Sequence, residues 1–482
     1  MSRGHTAAKG ALWSASGGII SQALSFTVFV LLARMMDPAA YGLIALSMAV
    51  ILAVSALSGL GLQKLLVQLE TAGKIETDTA FALSSLAGLI LALLLWWLAP
   101  LMAELSGTPQ LATVMKALVP LVILKALTIV PLGLLIRDFR FKAVALRSIL
   151  AQLVGGAAGI ALALNGFGVW ALVAQELVRA TTALVTLWLA SDWRPGLSAS
   201  PAVGRVMLGS SLNILGSEIT RIAHHHLDRF LIGSFLGVIS LGVYTIASKV
   251  NRVAVTVLHD SLSRVGLPTF SRARAEPTEL RSIYYRSQAL GSAVTLPIFV
   301  LLMLTADLVV PLLLGQQWQS SVTVLKALCI ASCAASIGVF NSPLLLAVGR
   351  GDIVFRFSLF KLACGVAAFL VSVHWGVLGV SLAFALREWL VLPLELKLCQ
   401  RYSPIEVAPV WRGTLGLLLT LMPMALVVVG IQHWGSQTQS WLMLFNTLLS
   451  GAACYLVTLL VVKRELAMQL FSVASILRTA RS

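Results

Sequence analysis

The chain is dominated by long apolar stretches that are separated by short polar breaks. A helix needs about 20 apolar residues to cross the hydrocarbon of a bilayer, and by that rule the sequence predicts fourteen membrane-spanning helices. They lie near 11–33, 41–63, 80–103, 112–136, 145–165, 167–190, 206–236, 238–262, 287–314, 321–348, 354–373, 376–398, 411–431 and 441–462. Breaks such as "SGTPQ", "NGFG" and "SDWRPGLSASP" hold the Gly, Pro and Ser residues typical of turns. The predicted fold class is an all-α polytopic membrane protein.

Basic residues divide unevenly between the two sets of loops that these spans define. The loops on the N-terminal side carry 24 of the 35 Lys and Arg residues, whereas the opposite loops carry one, Arg34. Cytoplasmic loops are enriched in Lys and Arg, so both termini are predicted to be cytoplasmic. The first apolar stretch continues to Ala33 without a small-residue cleavage site, which favours a span over a signal peptide.

Composition supports the membrane class. Hydrophobic residues make up 58% of the chain and charged residues 11%, against about 25% charged in soluble domains. The net charge of +16 is mostly topology signal, so nucleic-acid binding is not needed to explain it. The five cysteines have neither the spacing of a disulfide framework nor that of a metal site, and they are predicted to be small core residues. No cofactor or metal is predicted.

Charged residues inside the predicted spans are what topology does not explain. The basic ones are Lys116, Lys125, Arg179, Arg221, Arg229, Lys249, Arg252, Lys326, Lys361 and Arg387, and the acidic ones are Glu176, Glu218, Asp228, Asp260, Glu388 and Glu395. A central Lys or Arg costs roughly 2.5–3.5 kcal/mol against lipid, so ten exposed to lipid would exceed the ~5–15 kcal/mol net stability of an ordinary domain. We expect them to face a water-filled cavity or a buried partner.

The stretch "ITRIAHHHLDRFLIG" at 219–233 concentrates such residues in the seventh span. Its charged residues recur at three and four positions, which places Glu218, Arg221 and Asp228 on one broad helix face. Lys249, Arg252 and His259 do the same on the eighth span, and Ser14, Ser21 and Gln22 form a milder polar stripe on the first.

The same stretch allows other interpretations. Glu218 with Arg221, and Asp228 with a basic neighbour, could be ion pairs that only fix helix packing. His224, His225 and His226 cannot converge on one metal ion, because adjacent helical residues point in different directions. His225 could donate a hydrogen bond in a cavity or carry a proton.

An internal repeat divides the predicted spans into two sets of six. "LLARMMDPAAYGLIALS" (31–47) lies over "LIGSFLGVISLGVYTIAS" (231–248), which aligns Gly42 with Gly242, and "NGFGVWALVAQELVRA" (165–180) lies over "HWGVLGVSLAFALREWL" (374–390), which aligns Gly168 with Gly379. The predicted domains are a six-helix bundle at 1–200, a second at 201–402, and two further spans with a cytoplasmic tail at 403–482. Parallel repeats of this kind place a substrate between two bundles that rock around it.

The same segments carry a family resemblance. "LLARMMDPAAYGLIALS", "DRFLIGSFLGVISLGVYTIASKV" (228–250) and "LIRDFRFKAVALRS" (135–148) resemble signatures of Wzx-type polysaccharide flippases of the multidrug/oligosaccharidyl-lipid/polysaccharide exporter superfamily. The likeness is greatest to the colanic-acid and exopolysaccharide exporter branch, and it covers essentially the whole chain.

The resemblance implies an oligosaccharide repeat unit on undecaprenyl diphosphate, turned over from the cytoplasmic to the periplasmic leaflet of the bacterial inner membrane for exopolysaccharide, capsule or lipopolysaccharide assembly. It also implies a polysaccharide polymerase and a chain-length regulator as partners. A cationic cavity would replace the hydration of the diphosphate by Arg and Lys contacts. The expected head-group contacts are Arg221, Lys249, Arg252, Lys125, Arg179, Lys361 and Arg387, and the acids that could carry a coupling proton or Na⁺ are Glu176, Glu218 and Asp228.

Four other functions were considered. A flippase for the peptidoglycan precursor would share this chemistry with a different head group. A multidrug antiporter of the same superfamily would be expected to have an acidic cavity. A membrane-bound glycosyltransferase or polymerase would need a catalytic loop domain, yet no predicted loop exceeds about 25 residues. A scaffold protein would not require charges at mid-span. The prediction is a transporter, not an enzyme.

Overall fold

The computed structural model describes residues 3–69, 73–196, 198–434 and 441–479, and in these ranges it is almost entirely helical, with no strand. Within the described helices, the side chains of 3–12, 14–15, 212–215, 217–225, 471 and 473–479 are left out of the description. The all-α fold class predicted from the apolar pattern is confirmed.

The chain forms two compact units, Met1–Thr245 and Ile246–Ser482. The helices of the first unit are α1 (Arg3–Met35), α2 (Pro38–Ser58), α3 (Leu62–Gln68), α4 (Lys74–Leu105), α5 (Gln110–Leu118), α6 (Pro120–Arg137), α7 (Phe141–Leu164) and α8 (Val169–Ala190). Helix α9 (Pro201–Val255) runs past the boundary and is interrupted at Gly237, where φ is 79°. This interruption falls between the predicted spans 206–236 and 238–262. The predicted domains were defined by the sequence repeat, whereas these two units are defined by compactness. The predicted domain boundaries therefore stay predictions.

The second unit continues α9 through a π-helical turn at Thr256–Asp260. Its remaining helices are α10 (Ser261–Ala273), α11 (Pro277–Leu304), α12 (Ala306–Leu314), α13 (Ser320–Ile337), α14 (Asn341–Ala347), α15 (Gly351–Ser372), α16 (Gly376–Tyr402), α17 (Val407–Trp434), α18 (Trp441–Val462) and α19 (Arg464–Thr479). Its core is built around aromatic side chains that include Phe270, Tyr284 and Phe340.

Twelve helical segments of the described chain are long and apolar enough to cross a membrane, and one of them, Gly351–Tyr402, contains both α15 and α16. The predicted count of fourteen stays a prediction. Large apolar side chains lie on the outside, such as Trp97 at 77% and Leu426 at 74% exposure. A water-soluble surface rarely displays so much apolar area, so these side chains are suited to contact lipid.

Small residues let the helices of the first unit pack closely. A Cβ added to Gly17 of α1 would lie 2.4 Å from the Cβ of Ala145 in α7, and one added to Gly156 of α7 would lie 2.5 Å from Val28 of α1. Close backbone approach through Gly and Ala is a common way of packing helices in lipid, where hydrophobic association gives no drive. Gly17 therefore lets α1 lie close to α7, whereas a Cβ on Gly18 would meet nothing within 4 Å.

Matching turns occur at a constant separation of 210 residues in the two units. Phe139 (φ 56°) and Gly349 (φ 81°) lie two residues before α7 and α15, Gly166 (φ 78°) lies three residues before α8, and Gly376 (φ 70°) is the first residue of α16. The alignment of Gly168 with Gly379 in the sequence repeat gives a separation of 211 residues for these segments. The left-handed turns place the correspondence one residue away.

The segments Pro38–Gly42 and Val238–Gly242 cross each other with reciprocal contacts inside the first unit. A Cβ on Gly42 would lie 1.7 Å from the carbonyl oxygen of Val238, and one on Gly242 would lie 1.9 Å from that of Pro38. The two contacts exchange under a shift of 200 residues, as expected for two equivalent segments that face each other about a local twofold axis. Asp37 starts the first of these segments by accepting a hydrogen bond from the backbone N–H of Ala40 at 2.8 Å.

Three consecutive residues at the start of α4 tie down the connection between α8 and α9. Thr77 Oγ1 accepts a hydrogen bond from Trp193 Nε1 at 3.1 Å, Asp78 Oδ1 accepts one from the Gly196 N–H at 3.1 Å, and Thr79 Oγ1 accepts one from the Ser200 N–H at 3.0 Å. Asp78 is buried. We refer to Thr77, Asp78 and Thr79 as the α4 clasp.

Candidate functional site

A cluster of three cations and one acid lies where α6, α7 and α8 pack together. Arg179 and Glu176 form an ion pair one turn apart on α8, and Lys125 of α6 interacts electrostatically with both. Arg147 of α7 lies close enough to Arg179 for their like charges to repel. The four residues, which we call the N-unit cation cluster, carry two more positive than negative charges.

The arginines of this cluster have bonding capacity left over. The Nε atoms of Arg147 and Arg179 are buried, and neither has a hydrogen-bond acceptor among the described residues. A guanidinium presents its N–H groups in a planar fork that matches the oxygens of phosphate or carboxylate. Unsatisfied buried donors are costly, so this arrangement favours an anionic ligand.

Glycines of α7 set the position of Arg179. A Cβ on Gly155 would lie 2.7 Å from the Cβ of Arg179 and 2.9 Å from the carbonyl oxygen of Gln175, and one on Gly159 would lie 2.9 Å from the Cβ of Gln175. The backbone of α8 can therefore lie directly on α7 at the height of the ion pair. Arg179 is eleven residues from the end of α8, or about 16 Å of helix, which is deep within a span.

Lys125 also lines a cavity of about 420 Å³ in the first unit. Its polar lining consists of Ser55, Gln63, Lys64, Lys125, Thr128 and His226. Two lysines and several hydrogen-bonding groups make the cavity suitable for water and for negative charge. A wall is supplied by the turn between α2 and α3, where Leu60 and Gly61 have φ values of 47° and 72°.

The second unit holds a different charge arrangement. Lys361 Nζ of α15 lies 2.9 Å from Glu395 Oε2 and 3.9 Å from Glu388 Oε2, and Arg387 forms an ion pair with Glu388. These four residues, which we call the C-unit tetrad, carry two positive and two negative charges. Two of the predicted head-group contacts, Lys361 and Arg387, are thus already paired with acids.

A glycine also lies against an arginine of the tetrad, as Gly155 does in the N-unit cluster. A Cβ on Gly365 of α15 would lie 2.6 Å from Arg387 Nη1, and Gly365 is 210 residues beyond Gly155. Each unit therefore uses a helix glycine to seat an arginine of the following helix. The two clusters differ in charge, since the N-unit cation cluster has three cations and one acid, whereas the C-unit tetrad has two of each.

The other predicted site residues lie elsewhere. Asp228 accepts hydrogen bonds from the Tyr244 hydroxyl at 2.6 Å and from the Arg229 N–H at 2.8 Å. Lys249 and Arg252 are half-buried on α9. The side chains of Arg221 and Glu218 lie outside the described residues, so the predicted face of the seventh span is untested there.

His259 differs from its predicted place on a face shared with Lys249 and Arg252. It is buried, its Nε2 lies 2.9 Å from the Ser336 hydroxyl of α13, and its ring packs on Phe299. His259 belongs to the π-helical turn, which shifts the helix register by about one residue. Spacing along an uninterrupted helix could not anticipate that shift.

Arg147 is the site residue that the sequence missed. The predicted division into loops and spans places it among the 24 basic residues of the cytoplasmic loops, although the span is predicted to begin at 145. Helix α7 begins at Phe141, so Arg147 is in its second turn and only partly exposed. The signal available was the apolar run that continues on both sides of it.

Comparisons with known proteins agree with this architecture. A family described as polysaccharide biosynthesis protein matches residues 31–323. The lipopolysaccharide biosynthesis protein WzxC of Escherichia coli (strain K12) is 26% identical over 79% of this chain and 78% of its own length. The succinoglycan biosynthesis transport protein ExoT of Rhizobium meliloti (strain 1021) is 26% identical over 96% of this chain and 94% of its own. Among solved structures, the lipid II flippase MurJ in an inward closed conformation superposes with a TM-score of 0.73 at 15% identity, covering 94% of this chain and 99% of that one.

Proposed function

Since the chain belongs to the polysaccharide biosynthesis protein family, we propose that it moves polyprenyl-diphosphate-linked oligosaccharide repeat units across the bacterial inner membrane. It is a multi-pass membrane transporter and not an enzyme. The cargo is built on the cytoplasmic leaflet and delivered to the periplasmic one by alternating access, with both termini cytoplasmic. Polymerase and chain-length regulator partners remain predictions that follow from the family.

The observation that carries the proposal is the N-unit cation cluster beside a polar cavity. A diphosphate is the part of the cargo that lipid tolerates least, because moving unpaired charge into low dielectric is expensive. Lys125, Arg147 and Arg179 supply an excess of positive charge and two unsatisfied Nε–H donors within a span. These contacts can replace water around the phosphates during passage.

The charge sign separates this proposal from export of cationic drugs. A cation would be repelled by three positive side chains that only one acid balances. The peptidoglycan precursor shares the diphosphate, so a flippase for it is distinguished by complementation: the proposal expects this chain not to support growth of a strain that lacks its peptidoglycan-precursor flippase.

The seven expected head-group contacts differ in how far the structure supports them. Lys125 and Arg179 lie in the cluster, joined by Arg147. Lys361 and Arg387 are held by acids that a ligand would have to displace. Arg221, Lys249 and Arg252 remain predicted contacts on α9.

The deciding experiment uses a strain that lacks its own exporter of this family and traps lipid-linked repeat units on the inner leaflet. The wild-type chain should restore surface polysaccharide. Lys125→Met and Arg147→Met should each lower the rate of export about 10- to 100-fold, since a hydrogen bond to a charged group is worth roughly 1.5–3 kcal/mol. Both variants keep a long side chain for packing.

Lys116→Met is the matched control. Lys116 precedes Lys125 by nine residues and places its ammonium over the Trp96 ring at 5.6 Å, outside the cluster. Its substitution should leave export within about twofold of wild type. Normal export by both cluster variants at normal protein levels would contradict the proposed role of the cavity, and failure of the wild-type chain to clear trapped repeat units would contradict the cargo.

A further inference from the structure

We infer that the C-unit tetrad is a proton-linked anion site, at which the diphosphate head group can bind only as a tetrad carboxylate takes up a proton. This inference rests on the proposed function and adds a coupling mechanism to it. It assigns the proton to Glu395, the more buried of the two acids, and neither Glu395 nor Glu388 was among the acids that the sequence nominated for coupling.

The first step is charge balance. Lys361 lies between the Glu395 and Glu388 carboxylates, and Arg387 pairs with Glu388. With two cations and two acids, the tetrad has no excess positive charge to offer an anion. Bringing a phosphate to it would leave buried negative charge in excess, which costs several kcal/mol in a low-dielectric site.

Protonation of one carboxylate removes that obstacle. A neutral Glu395 no longer competes for Lys361, so the ammonium can turn to a phosphate oxygen, and the proton offsets one of the negative charges that the diphosphate brings. Thermodynamic linkage then requires that anion binding raise proton affinity and that low pH strengthen anion binding. The N-unit cluster has spare positive charge and needs no such uptake.

The second step is access. The side chains of Lys361 and Arg387 are 27% and 23% exposed, whereas that of Glu395 is 8% exposed. The two cations are therefore more open to a ligand than Glu395 is. The Nε atom of Arg387 is buried and has no acceptor among the described residues, so the site presents one donor that the tetrad itself does not use.

The third step is the environment of the acid. Asn341 at the start of α14 is buried beside Glu395, and its Oδ1 accepts a hydrogen bond from the Tyr284 hydroxyl at 2.7 Å. An amide and a phenol bring no charge of their own. They can solvate Glu395 in either protonation state, so that exchange of a proton does not leave the carboxyl group in an apolar void.

The other groups around Glu395 do not duplicate this role. The side chains that interact with its charge are Lys361, Glu388, Cys399 and Tyr284. The remaining titratable groups on helices packed against α16 are Lys326, Cys329 and Cys333 of α13, Asp352, Arg356 and Cys364 of α15, His374 between α15 and α16, and Arg412 and His433 of α17. Lys326 is held by Asp307 at 2.6 Å. Within this set, Glu388 and Glu395 are the acids that share a cation with the proposed ligand.

The test measures binding of farnesyl diphosphate to the full chain in phosphatidylcholine nanodiscs as a function of pH. Calorimetry in two buffers of different ionisation enthalpy counts the protons taken up. The wild-type chain should take up about one proton more per bound molecule than Glu395→Gln, so its affinity should fall roughly tenfold more per pH unit as pH rises. Titration of the diphosphate itself is common to both proteins and cancels in the difference.

Two further variants keep the result decisive. Glu104→Gln, which changes an exposed acid at the end of α4, should take up as many protons as wild type. The double variant Lys361→Met/Glu395→Met removes a buried pair together, which is often tolerated, and should bind without the extra proton even if Glu395→Gln folds poorly.

Equal proton uptake by wild type and by both Glu395 variants would overturn the inference and leave the proposed function intact. An absence of farnesyl diphosphate binding to the folded wild-type chain would overturn both, because the diphosphate is the ligand class common to them.

Discussion

At the residue scale, Gly155 controls how Arg179 is presented. Replacing it with alanine would press a methyl group against the Cβ of Arg179 and the carbonyl oxygen of Gln175 at under 3 Å. Backbone of α8 would have to move. We expect Gly155→Ala to lower the free energy of unfolding by about 1–3 kcal/mol and to reduce export.

The control is Gly430→Ala, because nothing lies within 4 Å of a Cβ at Gly430 of α17. In an open helical position, alanine is favoured over glycine by roughly 0.5–1 kcal/mol. Thermal unfolding should therefore shift in opposite directions for the two variants. A shift of the same sign and size in both would count against the close packing of α7 on α8.

The Arg179–Glu176 pair allows a second comparison. Arg179→Met alone leaves Glu176 without its cation, which should destabilise the protein by up to about 3 kcal/mol given the partial exposure of the pair. Glu176→Met/Arg179→Met removes both charges and should recover most of the stability while export stays low. Recovery of export in the double variant, scored in the same deletion strain, would show that Arg179 serves packing alone.

The sequence identifies candidate site residues by one signal, which is a charged residue inside an apolar span. Lys125 and Arg179 stand out for that reason, whereas Arg147 is close enough to a span end to pass for a loop residue. The pairing of Lys361 with Glu395 could not be predicted from the sequence. The two residues are 34 positions apart and lie on different helices, and the apolar pattern does not determine how each helix is rotated about its axis.

At the scale of elements, the α4 clasp holds Trp193, Gly196 and Ser200 of the connection between α8 and α9. Asp78→Ala removes the acceptor for the Gly196 N–H and should lower stability by about 1–3 kcal/mol, the cost of an unsatisfied buried donor. Asp78→Asn keeps an acceptor oxygen and should cost less. Limited proteolysis of this connection is the direct measurement: cleavage should quicken in the order wild type, Asn, Ala.

Long helices were predictable and short ones were not. Apolar runs bounded by Gly and Pro located α2, α4, α8 and α18, and a glycine marked the interruption of α9. The one-to-four-turn helices α3, α10, α12 and α14 have no span-length run of their own. The π-helical turn places His259 against Ser336 of α13, a contact that no local pattern encodes.

At the scale of the whole molecule, loop charge predicts cytoplasmic termini. A C-terminal green fluorescent protein fusion should fluoresce, and a C-terminal alkaline phosphatase fusion should be inactive, because each reporter matures on only one side of the membrane. The opposite pair of results would invert the predicted direction of every span.

The crossing of Pro38–Gly42 with Val238–Gly242 has an evolutionary consequence. Each glycine makes room for main chain belonging to the other segment, and a carbonyl cannot retreat as a flexible side chain can. Neither glycine can be replaced alone. A larger residue at one position cannot be compensated by a smaller residue at the other, because both positions already hold the smallest residue. Sorting for surface polysaccharide from a library randomised at positions 42 and 242, in the deletion strain, should return glycine at both, as two copies of one ancestral segment would require.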